Sequence, residues 1–237
     1  MIIPKYQAEY TIRENECGPN YDIRLAALWD IMQDAADHHA TILGFSHESM
    51  QARGNFWALI RMSAKVHKYP KARETVTVET YPAGLAKLFC VRKYNVYAEE
   101  GELLAEASSL WIIVDMKTGR PLRPNNAYPN EIMFSFNYEG VVPEKISPVN
   151  DGQQIKKITA EFCDIDGNNH VNNSRYINWL ENALRPDNPP ILELNTNYIL
   201  ETKLSEPLTV NQSDNIYSFI DDKNAARFLA EITFCEA

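Results

Sequence analysis

What most limits the fold of this chain is the order of its patterned stretches, in which one helix followed by a run of strands occurs twice. Leu25, Leu28, Trp29, Met32, Ala35 and Ala36 recur at three- and four-residue spacing, which predicts a long amphipathic helix ending near Gly44. A strand over Tyr6 to Ile12 precedes it, and the turn-rich Glu14-Asn15-Glu16-Cys17-Gly18-Pro19-Asn20 lies between. From Phe56 the period changes to that of strands, over Trp57 to Val66, Thr75 to Thr80, Leu88 to Tyr97 and Leu103 to Val114. In the second half a strand-prone run over Ile158 to Cys163, a polar loop and a helix from about 172 to 184 come first. Strands follow at Leu194 to Leu200, Leu208 to Asn211, Ile216 to Ile220 and Ala226 to Phe234. Short similarities fall at corresponding places: Met32-Gln33-Asp34-Ala35-Ala36 against Leu180-Glu181-Asn182-Ala183-Leu184, and Leu104 to Ser108 against Leu229 to Thr233. The expected class is α+β, two similar units side by side, each a long helix wrapped by an antiparallel sheet. The Pro- and Asn-rich stretch after Asp115 reads as a connection, so the expected division is 1–125, a linker over 126–152, and 153–237.

Composition excludes several classes. The 237 residues carry a net charge of -9, which argues against nucleic acid, whose phosphates call for a basic surface. Between residues 60 and 123 eleven basic side chains face seven acidic ones, a basic region that suits an acidic partner or a phosphorylated carrier arm, or is simply strand surface facing water. No apolar run approaches the ~20 residues that cross a bilayer, and Met1 to Tyr6 has no secretory pattern, so the expectation is a cytoplasmic protein. Cys17, Cys90, Cys163 and Cys235 form no CxxC pair and are expected to be reduced and mostly buried. A metal site is not expected. His38 and His39 diverge on their helix, HExxH is absent, and Arg175 stands where a calcium loop beginning at Asp164 needs a glutamate.

Chemistry concentrates in Asp164-Ile165-Asp166-Gly167-Asn168-Asn169-His170-Val171-Asn172-Asn173, a polar turn feeding the second helix. The start of that helix offers backbone N–H groups and a partial positive charge to a developing oxyanion. One reading makes the stretch a tight turn, with Asn172 or Asn173 capping the helix and Glu201 an outward-facing strand residue. In the other, a sheet wrapped on the helix brings Glu201 to His170. A His–carboxylate pair with an Asn to orient water is sufficient for hydrolysis of an activated acyl group.

Through Asp166-x-Asn168-x-His170-Val171-Asn172-Asn173-x-x-Tyr176, with Glu201 downstream, the chain resembles the acyl-acyl carrier protein thioesterases of plants and bacteria. The likeness includes Leu28-Trp29, Trp57 to Arg61 and Ser109-Leu110-Trp111 to Pro124. It implies two tandem hotdog units without a cofactor and an acyl carrier protein as partner. The implied reaction hydrolyses the thioester between a fatty acyl chain and the phosphopantetheine arm. Carried over by position, the catalytic residues are Asp166, Asn168, His170 and Glu201. The cysteine that often follows the glutamate is replaced by Thr202, which favours activated water over a Cys–His nucleophile. The first half lacks the histidine, so its helix is expected to wall an acyl tunnel through Leu28, Ile31, Met32 and Ala35, with Trp57 as a further wall residue, or these helix residues simply pack in the core. The absence of a transit-type extension suggests a bacterial protein. A coenzyme A thioesterase using the same residues, a non-catalytic acyl-binding module and a homodimer all remain open.

Overall fold

The computed structural model describes residues 5–149, 152–184 and 188–235. In chain order the first half holds β1 (Tyr6–Thr11), α1 (Leu25–Ile42), α2 (His47–Ala52), β2 (Asn55–Val66), β3 (Thr75–Ala86), β4 (Phe89–Ala98), β5 (Leu103–Asp115), the short β6 (Pro121–Leu122) and α3 (Pro124–Ala127). The second half holds β7 (Gln153–Thr159), α4 (Asn173–Leu184), β8 (Ile191–Tyr198), β9 (Pro207–Ser213), β10 (Ile216–Ile220) and β11 (Ala226–Phe234). Strand composition explains the pairing. Val76, Val78 and Val96 alternate with outward polar residues, so each strand turns one apolar row toward the helices.

All strands join one antiparallel sheet in the order β1-β3-β4-β5-β2-β8-β11-β10-β9-β7, with β6 added beside β5. Either side of the β2–β8 seam the order is the same: the first strand of each half lies at the rim and the second at the centre. The seam pairs Arg61 with Asn197 through Lys65 with Glu193, and an ion pair of 2.8 Å between Lys65 and Glu193 sits on it. The duplication extends to individual backbone bonds. Gly18 N–H donates to Asp22 O as Asp166 N–H does to His170 O, both at 2.8 Å, and Arg24 N–H to Glu16 O as Asn172 N–H to Asp164 O, both at 2.9 Å. Tyr21 and Asn169 sit at φ +62° in the two copies.

The helices lie together on the concave side. Leu28, Trp29 and Met32 of α1 and Ile177 and Leu180 of α4 are fully enclosed, each worth about 1.5–3 kcal/mol relative to exposure. Under α4, Tyr176 stacks on Phe228 at 4.9 Å, and Phe228 meets Phe219 edge-on at 5.2 Å. No side chain of its own caps α1. The buried carboxylate of Glu181, from the middle of α4, accepts instead from Leu25 N–H at 2.9 Å and Ala26 N–H at 3.1 Å. Two donors at a helix N-terminus, where the backbone dipoles add positive potential, make this burial of charge favourable.

The structure departs from the sequence reading at several elements. The sequence reading ends the third strand of the first half at Thr80, yet β3 continues to Ala86 through a bulge at Pro82–Gly84. Gly84 has φ +121°, and a Cβ there would meet Phe136 O at 2.8 Å. The close approach lets Leu85 N–H donate to Phe136 O, so only glycine fits. The second-half strand expected over Ile158 to Cys163 is displaced: β7 stops at Thr159 and Phe162–Asp164 is a 3-10 turn, because Asp164 Oδ2 accepts Glu161 N–H at 2.9 Å and turns the chain. Cys163 is therefore exposed. Of the free thiols only Cys90 is buried, where burial pushes its pKa up to about 12, while Cys17 and Cys235 are half-buried. The short helix α2 has no counterpart in the sequence pattern; Ser46 caps it by accepting Ser49 N–H at 3.2 Å.

The stretch expected as a plain connection is packed. Met133, Phe134 and Ile146 are buried. Arg61 donates to Pro143 O, Asn197 to Glu144 O, and Ile146 N–H to Asn197 Oδ1, which carries the chain across the sheet face away from the helices. No helix among the described residues is long and apolar enough to cross a membrane.

Replacing Glu181 with Ala leaves two buried N–H groups without their acceptor. The expected loss is about 2–3 kcal/mol of unfolding free energy, read as a lower urea midpoint. A variant as stable as the parent would show that the bond does not hold the helices together.

Candidate active site

The polar loop is built on hydrogen bonds that its own residue types supply. Asp166 Oδ1 accepts Asn168 N–H at 2.8 Å and His170 N–H at 3.3 Å, and Asn169 N–H reaches Asp166 O at 3.1 Å. The left-handed backbone at Asn169 is one that asparagine tolerates. Ile165 and Val171 then pair as a bridge that closes the loop. Asn172 Oδ1 accepts Ser174 N–H at 3.0 Å and caps α4, while Tyr198 Oη donates to Asn173 O at 3.2 Å.

Glu201 arrives from the other side. The strand that sequence patterning extends to Leu200 ends at Tyr198, so Glu201 lies on the loop beyond β8. Among the contacts that hold this loop, Ile199 N–H donates to Arg227 O at 2.9 Å, Val171 N–H donates to Thr202 O at 2.8 Å, and the Arg227 guanidinium donates to Glu201 O while paired with Asp221 at 2.7 Å. The result is a contact of 2.9 Å between His170 Nε2 and Glu201 Oε2. The His170 side chain is 27% exposed and that of Glu201 57%, so the pair faces water on one side.

Asp166, Asn168, His170 and Glu201 all line one groove of about 580 Å³. An inner, mainly apolar cavity of about 250 Å³ adjoins it and shares Phe56, Trp57, Trp111 and Asn168 with the groove. Phe45, Met50 and Met133 line its interior, and Phe45 packs edge-on against Phe134 at 5.3 Å. The polar loop thus opens onto an apolar chamber, the arrangement that suits a ligand with a reactive head and a hydrocarbon tail.

Trp57 borders both the groove and the cavity. Leu28, Ile31, Met32 and Ala35 do not line the cavity; they are buried in the core between the sheet and α4. The face of α1 that meets the cavity is Gln33, Ala36, Asp37 and Ala40, one helical row away. Sequence reasoning follows the most apolar stripe, and that stripe is consumed by the core. It also misses Phe45, Met50, Trp111 and Met133, for which the signal is the aromatic and sulfur-bearing content flanking α2 and the stretch after α3.

The first-half loop shows what the same scaffold does without the motif. At the place of His170 stands Asp22, whose carboxylate lies 3.3 Å from Lys71, and at the place of Glu201 stands Tyr69, which donates to Ile191 O at 2.8 Å. Among the described residues no cluster of three or more His, Cys, Asp or Glu side chains is arranged to hold a metal ion.

A long helix wrapped by an antiparallel sheet, repeated in tandem across a shared seam, defines a double hotdog protein. The chain belongs to the acyl-ACP thioesterase family: residues 4–132 match the acyl-ACP thioesterase N-terminal domain and residues 148–224 the C-terminal domain. It is similar to the chloroplastic palmitoyl-acyl carrier protein thioesterase of Cuphea hookeriana, with 28% identity over 196 residues, covering 77% of this chain and 47% of that protein. The chain thus spans about half the length of such curated relatives. Its fold is shared with an acyl-ACP thioesterase from Bacteroides thetaiotaomicron (TM-score 0.85, 20% identity, 98% of each chain). It is shared also with the 12:0-ACP thioesterase from Umbellularia californica (TM-score 0.82, 24% identity, 96% of each chain).

The cap is open to direct measurement. Asn172→Ala is expected to cost about 1 kcal/mol, or about 2–4 °C in thermal midpoint, with Asn173→Ala costing less. Equal losses in the two variants would contradict the assignment of Asn172 as the cap.

Proposed function

We propose that this chain hydrolyses the thioester of a fatty acyl chain carried on acyl carrier protein, releasing the free fatty acid and the thiol of the carrier arm. The observation that carries the reading is the 2.9 Å contact between His170 and Glu201 at the mouth of a groove continuous with an apolar cavity. In this reading the second half supplies the chemistry and the first half walls the cavity through α1, α2, Phe45, Met50 and Trp57.

Glu201 acts as general base on a water molecule, with His170 in contact with it and sharing the proton. Asn168, which borders both groove and cavity, positions the water or the thioester carbonyl. Asp166 keeps that loop in shape through its bonds to the Asn168 and His170 N–H groups. Water adds to the carbonyl carbon as its proton passes to the pair. The C–S bond then breaks, and the proton returns to the departing sulfur. At the start of α4 the Ser174 and Arg175 N–H groups are taken by Asn172, which leaves Asn173 N–H as the backbone donor for the oxyanion. Thr202 is fully buried and its carbonyl is engaged with Val171, and exposed Cys163 does not line the groove; both facts support water over a cysteine nucleophile.

A protein carrier is favoured by charge at the mouth. Met116 and Gly119 border the groove, and exposed Lys117, Arg120 and Arg123 stand beside them on the β5–β6 turn and after it. Such a basic rim suits an acidic carrier and its phosphorylated arm.

His170→Ala and Glu201→Ala are each expected to lower kcat on acyl carrier protein substrates by about 10²–10⁴ while the thermal midpoint stays near that of the parent. Cys163→Ser is expected to leave kcat unchanged. Undiminished turnover in either of the first two variants would remove the proposed site, and loss of turnover in the third would restore a thiol mechanism. Turnover of one acyl group on acyl carrier protein against coenzyme A tests the carrier, and faster release from coenzyme A would reverse that assignment.

A further inference from the structure

The inner cavity carries more polar groups than a bare hydrocarbon tail can use. Asp37, His47 and Asn168 are exposed at its rims, where water completes their hydrogen bonds, and half-buried Gln33 turns its Oε1 to Asn173 Nδ2 at 3.4 Å. The indoles of Trp57 and Trp111 have already given their N–H groups, to Phe45 O at 3.3 Å and to Ser109 Oγ at 2.7 Å. Arg92 is different. From the middle of β4 it lines the cavity while only 8% exposed, and its Nη1 donates to His39 Nδ1 and Thr80 Oγ1, both at 3.2 Å and neither with formal negative charge. Among the described residues no carboxylate lies within ion-pair distance of it, and no further hydrogen bond engages Nε or Nη2. A guanidinium only donates, so what this one lacks is an acceptor. Hydrocarbon laid against it would leave enclosed N–H groups unpaired, which is costly for a charged donor.

The missing acceptor has a place and a charge. Gln33 lies at the catalytic end of α1, and His39, the partner of Arg92, lies six residues further along the helix, an advance of about 9 Å. An oxygen that meets Arg92 therefore sits past the carbons next to the thioester. A chain that reaches it passes a groove lined by Asp166 and Glu201, and Asp37 stands on the cavity wall, so three carboxylates disfavour a ligand that is itself anionic.

We propose that the substrate of this site is an oxygenated fatty acyl thioester, whose hydroxyl or keto oxygen, from mid-chain onward, accepts a hydrogen bond from Arg92. The oxygen is bound and not transformed, and the thioester is cleaved as described above. A buried donor built to meet an oxygen discriminates strongly against the analogue that lacks it, because the unsubstituted chain leaves the donor unpaired. The inference rests on the reading that this cavity receives the acyl chain.

The test holds length constant. The whole purified chain is given lauroyl thioesters of acyl carrier protein that are unsubstituted, that carry a hydroxyl or keto group at the third carbon, at mid-chain or next to the methyl end, or that end in a carboxylate. A mid-chain or distal hydroxyl or keto group is expected to raise kcat/KM over plain lauroyl by about tenfold or more, and Arg92→Met to return that ratio to about one. Plain lauroyl cleaved as well as every oxygenated chain overturns the proposal. So does a preference confined to the third carbon or to the carboxylate, and so does a folded Arg92→Met protein that keeps the parent's preference. Should Arg92→Met fail to fold, a crystal structure of the parent with the preferred hydroxy acid decides: its hydroxyl within hydrogen-bond distance of the guanidinium supports the proposal, and a hydroxyl elsewhere overturns it. If the parent cleaves nothing, the hydrolase reading fails by itself, and competition of the corresponding free acids with a fluorescent fatty acid still decides about Arg92. Tighter binding of the mid-chain or distal hydroxy acid than of lauric acid supports it, and equal binding overturns it.

Discussion

One buried carboxylate holds the two halves in register. Glu181 belongs to α4 by sequence and to α1 by function, since it supplies the cap that α1 lacks. The β2–β8 seam fixes the halves along the sheet, and this contact fixes them where the helices meet. The placement matters because the cavity and the polar loop come from different halves. Gln33 and Ala36 of α1 line the cavity and Asn168 leads toward α4; a slip at the helix contact would separate the loop from the chamber it opens onto. Packed interfaces of this kind resist small continuous adjustment, so a bond that selects one arrangement has a disproportionate effect on geometry.

The two halves show how a shared backbone comes to differ in chemistry. Matching turns, matching hydrogen bonds and a left-handed residue at the same place, Tyr21 or Asn169, occur in both loops, and the differences lie in side chains. Asp22 with Lys71 stands where the other copy has His170, and Tyr69 stands where the other has Glu201. At the corresponding helix starts, Glu181 covers the first donors of α1 with a carboxylate, whereas its counterpart Gln33 meets the Asn173 side-chain amide at 3.4 Å. A carboxylate seals one helix start, and a neutral amide leaves the other less encumbered.

Much of this is legible in the sequence. Long periodic segments such as Leu25–Ile42 and Leu103–Asp115 declare themselves because the core demands one apolar row from each. The polar loop was legible because Asp, Asn and His crowd a short stretch where a plain turn needs only one or two of them. The rest depends on tertiary packing. Pro82 and Gly84 read as a strand end because the backbone that accommodates them, Phe136 to Tyr138, is remote in sequence. The cavity face of α1 escapes sequence patterning because it is made of small and polar residues, Gln33, Ala36, Asp37 and Ala40, which give no apolar signal.

The exposure of the His170–Glu201 pair separates its purpose from its stability. A histidine–carboxylate contact with one partner more than half exposed contributes about 0–1 kcal/mol, too little for the fold to depend on it. Yet four separate bonds converge to hold it: Asp166 to the His170 N–H, Val171 to Thr202, Arg227 to the Glu201 carbonyl, and Arg227 in turn to Asp221. Ordering these loops costs conformational entropy that the pair itself does not return. The balance is restored elsewhere, by the aromatic cluster of Tyr176, Phe219 and Phe228 beneath α4. A rigid apolar floor carrying a wet, preorganised imidazole and carboxylate is what hydrolysis requires, since water must reach the carbonyl while the tail stays dry.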